Sequence, residues 1–352
     1  MENRIEIFDG HNDTLLKLEI AARCGKAVNF SDRLDGIDID LVKAREGGFA
    51  GGFFAMFTPS RMKDFHHKYD HNDPKNFTPV NQSQALDFTL AMFARLRRLE
   101  KDTESELKVC VDSNEARRAM SEGRIAVIPH IEGAECIDLN FNSLEILHAA
   151  GLRSLGLVWS RPNAFGDGAP MTYQPEILAG NGLTSAGKEL VVKCNELGIM
   201  IDLSHLTETG FWDVAKTTIR PLIATHSNVH ALSPSARNLT DRQLKAIAES
   251  AGVVGLNFHV GFLNELCDET ADASIDQMLK HLDYLVGILG ENGVALGSDF
   301  DGCILPSQIG NASGLPKLIS SMRAHGFGEV LINKICRNNW LDVMERSFVG
   351  YN

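Results

Sequence analysis

Short apolar runs rich in β-branched and aromatic residues recur along the whole chain, each followed by a polar stretch and then a helical pattern. They cover residues 5–9 (IEIFD), 51–57 (GGFFAMF), 125–131 (IAVIPHI), 155–159 (LGLVW), 199–204 (IMIDLS), 222–226 (LIATH), 252–258 (GVVGLNF) and 294–300 (VALGSDF). Of the intervening helices, TDRQLKAIAES places Thr240 and Gln243 at capping-box spacing, with Leu244, Ile247, Ala248 and Ala251 on one face. Another starts near Ser185 and stops at Gly198. Eight strands, each followed by a helix, describe a parallel (β/α)8 TIM-like barrel better than a doubly wound sheet.

Neither a low-complexity linker nor a second composition regime interrupts the 352 residues, so residues 1–352 read as a single barrel domain. A helical segment at about 315–348 is expected to close the barrel, and it leaves a homodimer contact open. The longest irregular stretch, 58–79, carries His66, His67 and His71, which read as a solvated loop or as a cover over the active-site face. A net charge of −12 argues against a broad nucleic-acid surface, which needs clustered Lys and Arg, and favours a small-molecule partner. The first twenty residues carry acids and bases throughout, and no segment reaches 18 uninterrupted apolar residues, so neither a signal peptide nor a membrane anchor is predicted. Seven widely spaced cysteines without a CxxC read as reduced thiols of a cytoplasmic protein.

Metal-ligand residue types cluster at the C-terminal ends of the runs, where barrel enzymes place their active sites. His11 and Asp13 follow the first run at i and i+2, and the period of two along a strand sends both to one face. Glu132 ends the third run, His205 the fifth, His226 the sixth and Asp299 the eighth. If roughly two strand ends in ten carried such a residue by chance, five hits in eight would arise only about once in a hundred barrels. Asp299 and Asp301 in GSDFDG also fit plain turn chemistry. Three imidazoles and two carboxylates suit zinc, and a carboxylate can bridge two ions about 3.5–4 Å apart, an arrangement that activates water and polarises a carbonyl. The reaction class implied is hydrolysis.

The segments DGHNDTL (9–15), HIEGAE (130–135), LTSAGKELV (183–191), IDLSHL (201–206), ATHSNVHAL (224–232), RNLTD (237–241) and GSDFDG (297–302) span nearly the whole chain and resemble the signature segments of the membrane (renal) dipeptidase family. The resemblance implies a barrel with two zinc ions that hydrolyses dipeptides, often with a D-residue at the C-terminal position. It implies His11, Asp13 and Glu132 on one ion, Glu132 bridging to a second held by His205 and His226, Asp299 as the acid/base and Arg237 on the substrate carboxylate. Two positions depart from the renal type: Trp159 stands where those enzymes carry a substrate-touching histidine, and His259 where they carry a tyrosine. The specificity pocket is therefore expected to differ while the metal site is kept. The renal enzymes' membrane anchoring is not expected here. The residues alone leave open another amide, lactam or ester as substrate, and also a non-catalytic metal-binding barrel. Asp299 favours catalysis, because a binding protein needs no proton shuttle.

Overall fold

The computed structural model describes residues 5–26, 28–61, 73–176 and 179–348. His66, His67 and His71 lie outside the described residues. The described strands are β1 (Ile7–Asn12), β2 (Phe49–Phe57), β3 (Leu107–Val109), β4 (Ile125–Glu132), β5 (Ser154–Gly156), β6 (Met200–Asp202), β7 (Ile223–Ala224), β8 (Val253–Leu256) and β9 (Val294–Leu296). Eight of them pair in parallel in the order β1-β2-β4-β5-β6-β7-β8-β9. A bridge between Asn12 and Phe300 joins the two ends. There the Asp13 N–H donates to the Phe300 carbonyl (2.8 Å) and the Asp299 N–H to the His11 carbonyl (2.9 Å). The result is the nearly closed (β/α)8 barrel that the eight runs predict.

Three local features differ from expectation. The strand β3 has no counterpart among the runs; it pairs with Ile125–Val127 of β4, below β5, which takes His130–Glu132 on the same edge. The helix Asp241–Glu249 keeps its capping box from Thr240 to Gln243, but Ala251 lies beyond its end with φ of 53°. Strand β1 continues three residues past Asp9, so His11 lies in the strand rather than after it. Between Asp9 and Asn12 β1 advances three residues while β2 advances two, from Gly52 to Phe54. This bulge changes the parity of the strand and lets both Phe8 and His11 face the barrel interior.

The interior is layered. Its lower half is apolar: Phe8, Phe53, Ile128, Met200, Ile223 and Val253 form a cluster with Trp340. On β4 the interior positions run Ala126, Ile128, His130, Glu132, so the period of two carries the strand from apolar floor to polar mouth. Beyond the last strand, helices Leu315–His325 and Asn339–Ser347 flank a π-turn at Lys334–Asn338. This segment seals the barrel floor through Trp340, which is fully buried and donates its indole N–H to the Leu296 carbonyl (2.8 Å). Gly10 and Gly255 make room for it, since a Cβ at either would collide with the indole and with the Thr225 carbonyl. Among the described residues all seven cysteines are free thiols, and no helix is long and apolar enough to cross a membrane.

Because Trp340 is fully buried in the floor cluster, Trp340→Ala is expected to cost about 3–5 kcal/mol of stability, and Trp340→Phe clearly less. Chemical unfolding monitored by circular dichroism checks this; equal losses for the two variants would show that the indole volume is not what holds the floor.

Candidate metal centre

Six interior side chains meet at the upper end of the barrel. Glu132, at the end of β4, turns Oε1 toward His205 Nε2 (2.9 Å) and His226 Nε2 (3.5 Å), and Oε2 toward His11 Nε2 (3.7 Å). Asp13 Oδ2 lies 3.5 Å from His11 Nε2, and the Nε2 atoms of His205 and His226 are 3.1 Å apart. Two ligand groups result, His11 with Asp13 and Glu132, and Glu132 with His205 and His226, each with its donor atoms within 4.8 Å of one another. Asp299, from the turn after β9, receives a hydrogen bond on Oδ2 from Asn257 (2.9 Å). Its Oδ1 sits with Asp13 Oδ2 beside Gly302, where a Cβ would run into both carboxylates.

The local backbone is bent to make this arrangement. His205, Asp299 and Asp301 hold left-handed φ values of 69°, 60° and 68°, a conformation that costs non-glycine residues energy and recurs at functional sites. Ser160 Oγ lies 2.9 Å from His205 Nδ1 and Thr225 Oγ1 2.8 Å from His226 Nδ1, so both rings are held by the nitrogen that points away from Glu132.

The charge balance calls for cations. Burial, with Asp13, Asp299 and Asp202 adding to it, pushes the Glu132 carboxyl well above the usual range. Burial also raises Asp299 to about 6, against the pull of His11. Burial disfavours charge on His11, yet Glu132, Asp13 and Asp299 lift its pKa to about 10. Burial drives His205 and His226 well below the ordinary histidine value, which leaves them neutral donors. Both ring nitrogens of His11 and Oδ1 of Asp13 are buried without a hydrogen-bond partner among the described residues. Unsatisfied imidazole and carboxylate atoms around an excess of buried negative charge are what a divalent cation site requires.

Above this cluster opens a cavity of about 350 Å³ lined by Asp13, Glu132, His205, Asp299, Trp159 and His259 among others. The Trp159 indole stacks on Phe77 (5.3 Å between centroids, 9° between planes) and packs beside Phe57 and His205. The buried Arg161 guanidinium lies over the Phe57 and Trp159 rings and is paired with Glu135 (2.7 Å). His259 approaches the Ile304 carbonyl through Nδ1 (3.3 Å) and meets Phe262 edge-on. Arg237 stands apart from the main cavity: it lines a second one of about 200 Å³ that shares His205 with the first. It is buried, its Nη2 donates to the His226 carbonyl (3.2 Å), and its Nε has no partner among the described residues. Sequence reasoning missed Asp202, which lies within 4.8 Å of ligand atoms of His11 and His226. The signal was available, since Asp202 follows the interior residue Met200 by two positions on β6.

A family model described as membrane dipeptidase (peptidase family M19) matches residues 1–349. The chain is 41% identical over 260 residues, 74% of its length and 96% of the relative's, to an uncharacterized protein in the pqqA 5′ region of Klebsiella pneumoniae. It superposes with a TM-score of 0.90 and 44% identity, over 98% of this chain and 100% of the other, on a metallo peptidase from Rhodobacter sphaeroides liganded with a phosphinate mimic of the dipeptide L-Ala-D-Ala. It superposes with a TM-score of 0.89 and 44% identity, over 98% and 99% of the two chains, on the dipeptidase AC, a metallo peptidase of family M19.

Since a bound cation relieves carboxylate repulsion only in the folded state, stripping divalent ions with a chelator is expected to lower the melting temperature and zinc to restore it. At 100-fold excess over its Kd an ion contributes about 2.7 kcal/mol. Gly302→Ala, which crowds Asp13 and Asp299, is expected to blunt the restoration. Identical melting curves with and without zinc would exclude a cation site in this cluster.

Proposed function

Because the chain belongs to the membrane dipeptidase family, peptidase family M19, we infer that it is a zinc-dependent dipeptidase whose substrates include dipeptides with a C-terminal D-residue. The observation that carries this reading is Glu132, one oxygen facing His205 and His226 and the other facing His11. In this reading His11, Asp13 and Glu132 hold one ion and Glu132, His205 and His226 a second, and the mixture of imidazole and carboxylate donors suits zinc. Bound ions lower the pKa of water toward neutrality and polarise the scissile carbonyl.

The chain's own groups do the rest. Asp299 is the acid/base: Asn257 occupies Oδ2, which leaves Oδ1 to take a proton from the attacking water and return it to the leaving amine. Arg237, whose Nε has no partner among the described residues and whose charge is drawn toward Asp299 and Glu132, is the group for the free carboxylate of the C-terminal residue. Trp159, stacked on Phe77 and tilted against Phe57, gives one cavity wall an apolar face, and His259 contributes a polar tip on a wall shared with Phe262. Both serve as specificity residues. The phosphinate mimic of L-Ala-D-Ala bound by the Rhodobacter sphaeroides peptidase supports an L,D-dipeptide as a substrate.

A panel of L,L- and L,D-dipeptides, assayed with measured metal content, is expected to show turnover with two zinc ions per chain. Asp299→Asn should lower kcat by about 10²–10⁴ with both ions kept. Turnover of esters or lactams but of no dipeptide would overturn the assignment. Arg237→Lys, which loses the planar fork, should raise KM for dipeptides far more than for their C-terminal amides. Equal effects on both would remove Arg237 from the carboxylate.

A further inference from the structure

Asp202 ends β6 beneath the histidines and is fully buried. Its Oδ1 accepts from the backbone N–H groups of Ser204 (3.0 Å) and Thr225 (2.8 Å), and its Oδ2 from the Thr225 hydroxyl (2.6 Å). The same hydroxyl oxygen lies 2.8 Å from His226 Nδ1. A hydroxyl has one proton, and a carboxylate only accepts. With its proton committed to Asp202, Thr225 can only accept from His226, so Nδ1 carries the imidazole hydrogen and Nε2 keeps its lone pair. Nε2 is the atom that faces Glu132 and His205.

We infer that Asp202 is a positioning residue that acts through Thr225 to fix the tautomer of His226, holding Nε2 ready for the second ion. The inference rests on the reading of His226 as a ligand. The direction of the chain comes from Asp202, because its two backbone donors pin Oδ1. In Asp202→Asn the amide oxygen must stay on those two N–H groups, which turns the NH2 toward Thr225. The hydroxyl then receives from Asn and donates to His226 Nδ1, the hydrogen moves to Nε2, and the lone pair is lost from the metal side. Thr225→Val removes the link without reversing it, and Thr225→Ser keeps it.

The test combines zinc affinity by chelator competition with ¹⁵N NMR of the histidine rings in metal-free protein, which reads the tautomer whether or not zinc binds. The wild type and Thr225→Ser should show His226 with hydrogen on Nδ1, Asp202→Asn with hydrogen on Nε2, and Thr225→Val a mixture. Asp202→Asn and Thr225→Val should weaken one of two zinc ions about 10–100-fold and leave the other within about threefold, with Thr225→Ser near wild type. If Asp202→Asn does not fold, the Val and Ser pair decides. A folded Thr225→Val whose His226 stays in the wild-type tautomer with unchanged zinc affinity overturns the inference. A wild type that takes up fewer than two ions yet shows the expected tautomers would instead overturn the two-ion reading.

Discussion

A carboxylate buried among three imidazoles is the constraint that the rest of the molecule answers to. Glu132 is only 4% exposed, and Asp13, Asp202 and Asp299 crowd the same few ångströms. Such a group is costly to bury unless it is paired and hydrogen-bonded. The barrel gathers the proposed ligands from four places on its rim, each at or just past the end of a strand whose lower half is anchored in an apolar floor. The floor is therefore part of the site: Phe8 below His11, Ile128 below Glu132 and Met200 below Asp202 fix the register from which the polar mouth is built.

The strain at the mouth follows from the same constraint. Ideal strands would send neighbouring side chains to opposite faces, yet the site needs side chains from the turns just past β6 and β9. His205, Asp299 and Asp301 reach it through left-handed backbone. The Asp38 and Asp301 side chains each accept the other's backbone N–H (2.7 and 2.8 Å), and the Thr14 hydroxyl donates to Asp301 (2.9 Å), which holds the bent segment in place. Strained conformations persist only where the surroundings over-determine them.

Most of the fold and the heart of the site were legible because burial on both faces of parallel strands writes continuous apolar runs, and because metal chemistry restricts residue type at the ends of those runs. What escaped was set by tertiary context. Strand β3, with Lys108 at its centre, lacks the continuous apolar run that marks the barrel strands. The bulge in β1 breaks the simple alternation that would relate Phe8 to His11. Asp202 sits inside an apolar run, where its role shows only once Thr225 on the neighbouring strand is known to lie beside it. Arg237 was legible only through the resemblance carried by RNLTD, and the separate cavity that it lines is made by segments far apart in sequence, Pro170 and Gly180 as well as Gln243.

The cavity wall carries a different logic from the metal cluster beneath it. His205 and His226 tolerate little change, since Nε2 of each faces Glu132 while Nδ1 meets a hydroxyl behind it. Trp159 packs against rings and the Arg161 guanidinium, and that guanidinium is itself fixed by Glu135, by Ser60 Oγ (3.0 Å) and by the Thr58 carbonyl (2.5 Å). The wall is thus a rigid apolar plate hung on a buried ion pair, and its shape depends on Phe57, Phe77 and Arg161 together rather than on Trp159 alone. Residues in one contact network couple, so a substitution at Trp159 that ignores its two ring neighbours tests the packing of the plate as much as the preference of the pocket. The plate meets the cluster where the Trp159 ring packs beside His205 and where Phe57 pairs with Glu132 across β2 and β4, so a change in the wall is felt at the carboxylate and imidazole beneath it.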